Sequence, residues 1–284
     1  MSNANEAWLG EGFALRINTR GDGTLTREAT VARQLPAQVR FPGVLDHGVV
    51  DGFEWTLVRR APGMVLSRAW PSMTRGARRR AMGQLAAALR ALHASPVQAP
   101  TRDDFAPPHT LGLDALLALV ERARSPFDGA LMDELAEFIR ARYDAFDGGA
   151  EGFVHGDPHL ENVLWDGREI SAVLDLEWSR RGPVELDLET LLSFFDHPWF
   201  FVAEDYEDQA RAADYAEATG WLREDAPAWF GHPRLRDRLA LLHISRTLSL
   251  FDGRPSSAPR DPGDPRDRRN HLRAALDGHA PRVS

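Results

Sequence analysis

The chain contains no cysteine and no lysine: all 34 of its Lys-plus-Arg positions are arginine. Without cysteine, a disulfide scaffold, thiol catalysis and cysteine-ligated zinc are excluded. Without lysine, any role that lysine usually takes falls to arginine, which is planar and always charged. Also missing is an uninterrupted apolar run of the roughly 18 residues that a membrane-spanning helix needs. Residues 1–10 lack the basic stretch and apolar core of a secretory signal. The sequence therefore predicts a cytoplasmic protein with no membrane partner.

What is present is ordinary for a globular chain. Of the 284 residues, 43% are apolar and 27% charged, enough for one large domain or two lobes around a cleft. The net charge of -8 argues against nucleic acid as a partner and suits a neutral or cationic small substrate. A monomer or weak dimer is expected.

The first sixty residues read as strands and turns with one helix. Short strands at 8–10 and 13–17 flank Gly10 and Gly12, and a turn runs through 20–23. Residues 26–35 have helix composition, with Thr26 as cap and Pro36 as stop. Strand character returns at 44–47 and 53–58. Arg60-Ala61-Pro62-Gly63 then breaks the pattern as a hinge. Beyond it the chain turns helical: 73–93, with Leu85, Ala88, Leu89 and Leu92 on one stripe, then 113–123, 131–146, most of 186–250, and 270–276. Loops are expected at 100–108 and 255–269. The reading is an α/β (α+β) chain with a small mixed-sheet lobe at 1–60 and a mainly helical lobe at 61–284.

The chemistry concentrates between residues 154 and 188. His155-Gly156-Asp157-Pro158-His159-Leu160-Glu161-Asn162 leads into an apolar run at 163–165. A turn at Asp166-Gly167 follows, and a second run at 170–174 ends at Asp175-Leu176-Glu177. Asp-Gly between two short apolar runs signals a hairpin. That hairpin places Asn162 at the same end as Asp175, with Asp157 in the loop feeding that end. Phosphoryl transfer needs such a set: hard oxygen ligands for a metal that offsets phosphate charge, and a separate carboxylate to orient a hydroxyl and accept its proton.

Plainer readings exist for each piece. His155, Asp157 and His159 could form an alternating metal triad of a hydrolase, but that leaves Asn162 and Asp175 unexplained. Asp175-Leu176-Glu177 alone reads as a solvated turn, and only its place after the hairpin raises Asp175 to a ligand. Glu177 stays open between a supporting group and a surface charge. His93 reads as a helix-end histidine, and the aromatic clusters at 199–201 and 229–230 as core. The acidic run 204–208 reads as a solvated helix face, with a reader of a cationic acceptor as the alternative.

The motif His-Gly-Asp-x-His-x-x-Asn, followed by a hairpin and Asp-x-Glu, resembles the aminoglycoside phosphotransferase family, relatives of macrolide and choline kinases within the protein-kinase-like fold. The resemblance covers nearly the whole chain. It implies a two-lobed fold with a nucleotide-binding N-terminal lobe, and an ATP- and Mg2+-dependent kinase acting on a hydroxyl of a small molecule such as an aminoglycoside, another antibiotic or an amino-sugar-like metabolite, and hence antibiotic resistance. It implies Asp157 as catalytic base, Asn162 and Asp175 as magnesium ligands, and Asp187 as a buried brace of the catalytic loop. Arg16 is similar to the phosphate-binding cation and Glu28 to its partner. Arg59 and Ala61 resemble the linker positions whose backbone bonds the adenine edge. Two departures stand out: arginine replaces lysine at position 16, and the first strand of the small lobe reads as missing or very short, which leaves only residues 2–5 to cover the phosphates. The second keeps open a nucleotide-binding protein without phosphotransfer. A protein kinase is disfavoured, because Asp175 to Asp187 leaves little room for a regulated activation loop.

Overall fold

A computed structural model describes residues 5–99, 112–124, 128–149, 151–249, 264, 266–279 and 281–283. The loop expected at 100–108, most of that expected at 255–269, and residues 2–4 lie outside the described residues. The chain divides into two compact units, Met1–Thr101 with Glu151–Asp187 and Glu224–Ala226, and Arg102–Ala150 with Leu188–Arg223 and Pro227–Ser284.

The first unit opens with an antiparallel sheet of β1 (Asn5–Leu9), β2 (Phe13–Asn18), β3 (Val44–Val50) and β4 (Phe53–Arg59), in the order β1-β2-β4-β3. Asp51 and Gly52, at φ 52° and 82°, join β3 to β4 in the two-residue turn whose twist matches that of paired strands. The register aligns Leu9, Ala14 and Val58 in one row and, two positions on and so on the same face, Ala7, Arg16 and Thr56. Helix α1 (Thr24–Ala32) follows β2 and contacts β4.

The start of α1 differs from the expected Thr26 cap. The helix begins at Thr24, and Gly23 before it has no side chain to cap the first turn. Buried Glu54 of β4 supplies the cap, accepting the N–H of Gly23 at 2.7 Å and of Thr26 at 2.9 Å. Asp22 adds a 3.2 Å bond from the Thr24 N–H. A carboxylate at the positive end of a helix gains from the macrodipole as well as from its hydrogen bonds. Glu54→Ala is therefore expected to cost about 1–3 kcal/mol, because it strands buried donors. Urea denaturation measures this, and a loss below about 0.5 kcal/mol would reduce Glu54 to an ordinary surface position.

The rest of the first unit holds β5 (Met64–Val65), α2 (Leu66–Ala69), α3 (Arg75–His93), β6 (Glu151–Val154), β7 (Val163–Trp165), β8 (Ile170–Val173) and β9 (Arg180–Pro183). Thr74 caps α3 through a 3.2 Å bond from the Ala77 N–H, and the stripe Leu85, Ala88, Leu89 and Leu92 is buried. The expected hairpin forms between β7 and β8. Asp166 makes its turn by accepting the N–H groups of Arg168 and Glu169, both at 2.8 Å. In the linker, Gly63 sits at φ 107°, and a Cβ there would stand 2.2 Å from the Trp165 carbonyl oxygen. Only glycine fits so close a backbone approach.

The remaining helices are α4 (Leu113–Ala123), α5 (Gly129–Arg142), α6 (Glu185–Asp196), α7 (Ala218–Asp225), α8 (Leu235–Ser249) and α9 (Arg268–Leu276). The core of the second unit comes from α4, α5, α8 and α9, through Leu116, Leu119, Met132, Leu135, Leu241, Ile244 and Leu272 among others. Of the aromatic clusters, Trp229 is buried, while Trp199 and Phe200 are half-buried. An antiparallel sheet part and a mainly helical part give the α/β class expected from the sequence. Among the described residues no helix is long and apolar enough to cross a membrane.

Candidate active site

Strand β6 delivers the chain into the loop at His155, and buried groups fix that loop before any ligand is considered. Asp187, at the start of α6, is fully buried. Its carboxylate accepts the N–H of His155 at 3.0 Å and of Gly156 at 2.8 Å, and meets His93 Nε2 at 2.7 Å. Burial alone would raise the Asp187 carboxyl, but the rings of His93 and His155 and the backbone donor hold it below its ordinary value. The aspartate expected to brace the loop thus meets its backbone directly. His93, read from the sequence as a plain helix-end histidine, is part of the same brace.

Gly156 lies at φ 85°, and a Cβ on it would fall 2.4 Å from the Trp178 carbonyl oxygen. The loop can pass there only as glycine. His155 is buried, with Nε2 at 2.9 Å from the Leu174 carbonyl and Nδ1 accepting the Asp157 N–H at 3.3 Å. With both ring nitrogens engaged by these backbone groups, His155 has no lone pair left for a metal. Among the described residues no group of three or more His, Cys, Asp or Glu side chains could hold a metal ion. The hydrolase triad therefore has no support.

Asp157 and Asn162 stand at the two ends of the following turn. Asp157 is 30% exposed at its side chain, with Oδ2 at 3.0 Å from His159 Nε2. Asn162 donates from Nδ2 to the Asp157 carbonyl at 2.9 Å, which turns its amide oxygen the other way. Glu161, between them, is held by Arg68 at 3.1 Å and by the Ser67 hydroxyl. The Asn162 carbonyl accepts the N–H of Leu174 at 2.8 Å, while the Leu174 carbonyl meets the His155 ring. Both backbone polar groups of Leu174, the residue just before Asp175, are thereby stitched to the loop carrying Asp157 and Asn162.

Asp175 adopts φ 62°, a left-handed conformation unusual for a residue with a side chain. Its Oδ1 accepts the Glu177 N–H at 3.3 Å and lies 3.9 Å from Arg16 Nη2. Arg16, on β2, also pairs through Nη1 with Glu28 Oε1 of α1. Glu28 Oε2 accepts the Leu176 N–H at 3.0 Å. Burial opposes charge on both partners: it pushes the Glu28 carboxyl up and would pull the arginine down. The Glu28 and Asp175 carboxylates nevertheless hold the Arg16 guanidinium above its ordinary value. The structure thus brings Arg16, Glu28 and Asp175 into one chain of contacts. Glu177 is buried rather than a surface charge, 4.0 Å from Arg20 Nη2.

In the linker, the Arg59 N–H is spent on the Gly43 carbonyl at 2.8 Å and the Arg60 N–H on that of Gly12 at 3.0 Å. Ala61 has no such bond among the described residues. The acidic run at 204–208 is partly neutralised: Arg266 pairs with Glu207 at 3.1 Å and Asp208 at 2.8 Å. That pairing favours the solvated-face reading of the run.

Comparison with known proteins follows the same lines. The family described as "Phosphotransferase enzyme family" matches residues 4–226. Among solved structures, a choline/ethanolamine kinase family protein from Mesorhizobium loti is 20% identical at TM-score 0.58, covering 98% of this chain and 83% of that chain. The GDP complex of aminoglycoside 2'-phosphotransferase-IIIa is 15% identical at TM-score 0.61, covering 98% and 90%. APH(3'')-Id from Streptomyces rimosus, in complex with ADP and streptomycin, is 20% identical at TM-score 0.55, covering 84% and 87%. The fold is that of these kinases. No curated protein matches the chain.

Proposed function

We propose, since the chain belongs to the phosphotransferase enzyme family, that it transfers the γ-phosphoryl group of ATP, with Mg2+, to a hydroxyl of a small molecule such as an aminoglycoside, another antibiotic or an amino-sugar-like metabolite. The observation carrying this reading is the stitching of Leu174. It ties the loop bearing Asp157 and Asn162 to the residue before Asp175, so that a base candidate and two oxygen donors share one rigid frame.

In this mechanism Asp157 receives the acceptor hydroxyl, aligns it and takes its proton as the new O–P bond forms and the bond from the γ-phosphorus to the departing ADP breaks. His159, 3.0 Å from one carboxylate oxygen, holds that carboxylate in place. Arg16 faces the phosphates as a fixed cation, and its fork of donors lets it keep Glu28 at the same time. The row of Leu9, Ala14 and Val58 gives the base of the nucleotide an apolar face. Leu9, 67% exposed, is available for such a contact. The Arg59 carbonyl and the Ala61 N–H serve as its polar edge.

The donor set fits magnesium. Asn162 and Asp175 offer hard oxygens, and the Asn162 amide is oriented by its bond to Asp157, leaving its oxygen for a cation. One carboxylate, one amide oxygen and phosphate oxygens are a usual magnesium environment. When bound there, the ion supplies charge compensation for the phosphates. The acidic chain suits a cationic acceptor, to which many amino sugars belong.

Arg16→Met is expected to weaken ATP binding by at least about tenfold, the loss of one charge-assisted contact. Glu28→Gln should weaken it less, since the cation remains and only its aim suffers. Calorimetric titration with ATP decides this. An Arg16→Met protein binding ATP like the parent would show that another arginine holds the phosphates.

A further inference from the structure

Consecutive residues of α1 grip the same short turn. Glu28 takes the N–H of Leu176 at 3.0 Å. Arg27, the residue before it, reaches the other side of that turn. Its Nη1 lies 3.5 Å from the Leu176 carbonyl, 3.5 Å from the Glu177 carbonyl and 3.4 Å from Ser179 Oγ, and Nη2 donates to the Ser179 carbonyl. Ser179 Oγ in turn donates to the Leu176 carbonyl at 2.7 Å. Leu176 and Ser179 are both buried. The peptide groups following Asp175 are thus held from the N–H side by an acid and from the carbonyl side by a base.

Asp175 itself needs such support. A non-glycine residue at φ 62° sits in a sparsely populated region, and persists there only where its surroundings over-determine the backbone. Its own side chain accepts the Glu177 N–H, which shares a peptide group with the Leu176 carbonyl that Arg27 reaches. Released from Arg27, the turn would lose its carbonyl-side restraint, and the Asp175 carboxylate would sample other directions.

We infer that Arg27 is a positioning residue, whose guanidinium clamps the turn at 176–179 and so aims Asp175 for its cation. This rests on the proposed role of Asp175 and extends it to a residue that acts through the turn following Asp175. It also accounts for the neighbouring arginine and glutamate on α1: the first fixes the metal side of the site, the second the phosphate side.

The test is the gain in ATP affinity that Mg2+ brings, measured by calorimetry with and without the ion, with thermal unfolding recorded beside it. The parent should show a gain, and Asp175→Asn should abolish it. Arg27→Met should cut the gain by about tenfold, as expected for losing hydrogen bonds from a charged donor, while metal-free ATP affinity stays at the parent value. Arg27→Lys should recover part of it, because a point charge cannot reach several carbonyls at once. A residue that merely stabilised the fold would lower the unfolding temperature and leave the ratio of the two affinities intact. An unchanged gain in Arg27→Met, with the gain lost in Asp175→Asn, would overturn the positioning role and leave the site standing. A gain retained in Asp175→Asn would overturn the site itself. Should Arg27→Met fail to fold, Ser179→Ala decides through the same ratio, since it removes one leg of the clamp. Its gain should fall in the same direction by a smaller factor, and an unchanged gain would again overturn the role.

Discussion

Asp157→Asn is expected to lower turnover at least about a hundredfold, the usual weight of a positioned general base, while ATP affinity stays within about twofold of the parent, about 0.4 kcal/mol and well inside the 1.4 kcal/mol of a tenfold step. Asparagine keeps the volume of the side chain and can still hydrogen-bond an acceptor hydroxyl, but it cannot take the proton. The loop around it should be undisturbed, because its fixing contacts run through Asp187, His155 and Gly156 and through the Asn162 bond to the Asp157 backbone carbonyl. The split between a lost rate and a kept affinity is the informative part. If both fall together, the residue shapes the nucleotide site instead. If turnover survives, the proton leaves by another route and the base assignment is abandoned.

The second large effect is structural. Asp187→Ala would strand the N–H groups of His155 and Gly156 and the His93 ring, all of which its carboxylate now meets inside the protein. Removing one partner from such a buried charged network costs about 3–5 kcal/mol, a large share of the roughly 5–15 kcal/mol that keeps a protein folded. Denaturation in urea should show this loss, with turnover falling as well because the loop loses its anchor. The same carboxylate gives an acid dependence of definite sign. Its folded value lies below the ordinary one, so its contribution is complete above about pH 4, the unfolded range for aspartate, and fades as the pH falls through the folded value. The stability gap between the parent and Asp187→Asn should narrow as the pH falls below about 4. A gap that failed to narrow there would mean that the carboxyl is already protonated in the native state.

Much of the site could be read from the sequence because its chemistry is local. Asp166-Gly167 makes its turn with its own neighbours, so the hairpin, and with it the shared end of Asn162 and Asp175, follows from a few adjacent residues. Helix α4 was legible for the same reason, its bounds at 113–123 matching the apolar period. The parts not legible are those held from afar. Glu54 caps α1 from 31 positions away, which displaced the cap expected at Thr26. His93 meets Asp187 across 94 positions, and Arg27 meets Ser179 across 152. In each case a polar side chain with an unremarkable local context acquires its meaning from a backbone group that only the fold brings near. The burial of Glu177 belongs to the same class: its sequence neighbours describe a solvated turn, and its environment is set by residues outside that turn.

The most direct measurement is mass spectrometry of a panel of hydroxylated acceptors, amino-sugar antibiotics first, incubated with the protein, ATP and Mg2+ beside an Asp157→Asn control. The account expects at least one acceptor to gain a single phosphoryl group with the parent protein, in amounts matching the ADP formed, and to gain none above background with the variant. ATP binding with no phosphorylated acceptor anywhere in a broad panel would contradict it and leave a nucleotide-binding protein that does not transfer phosphate.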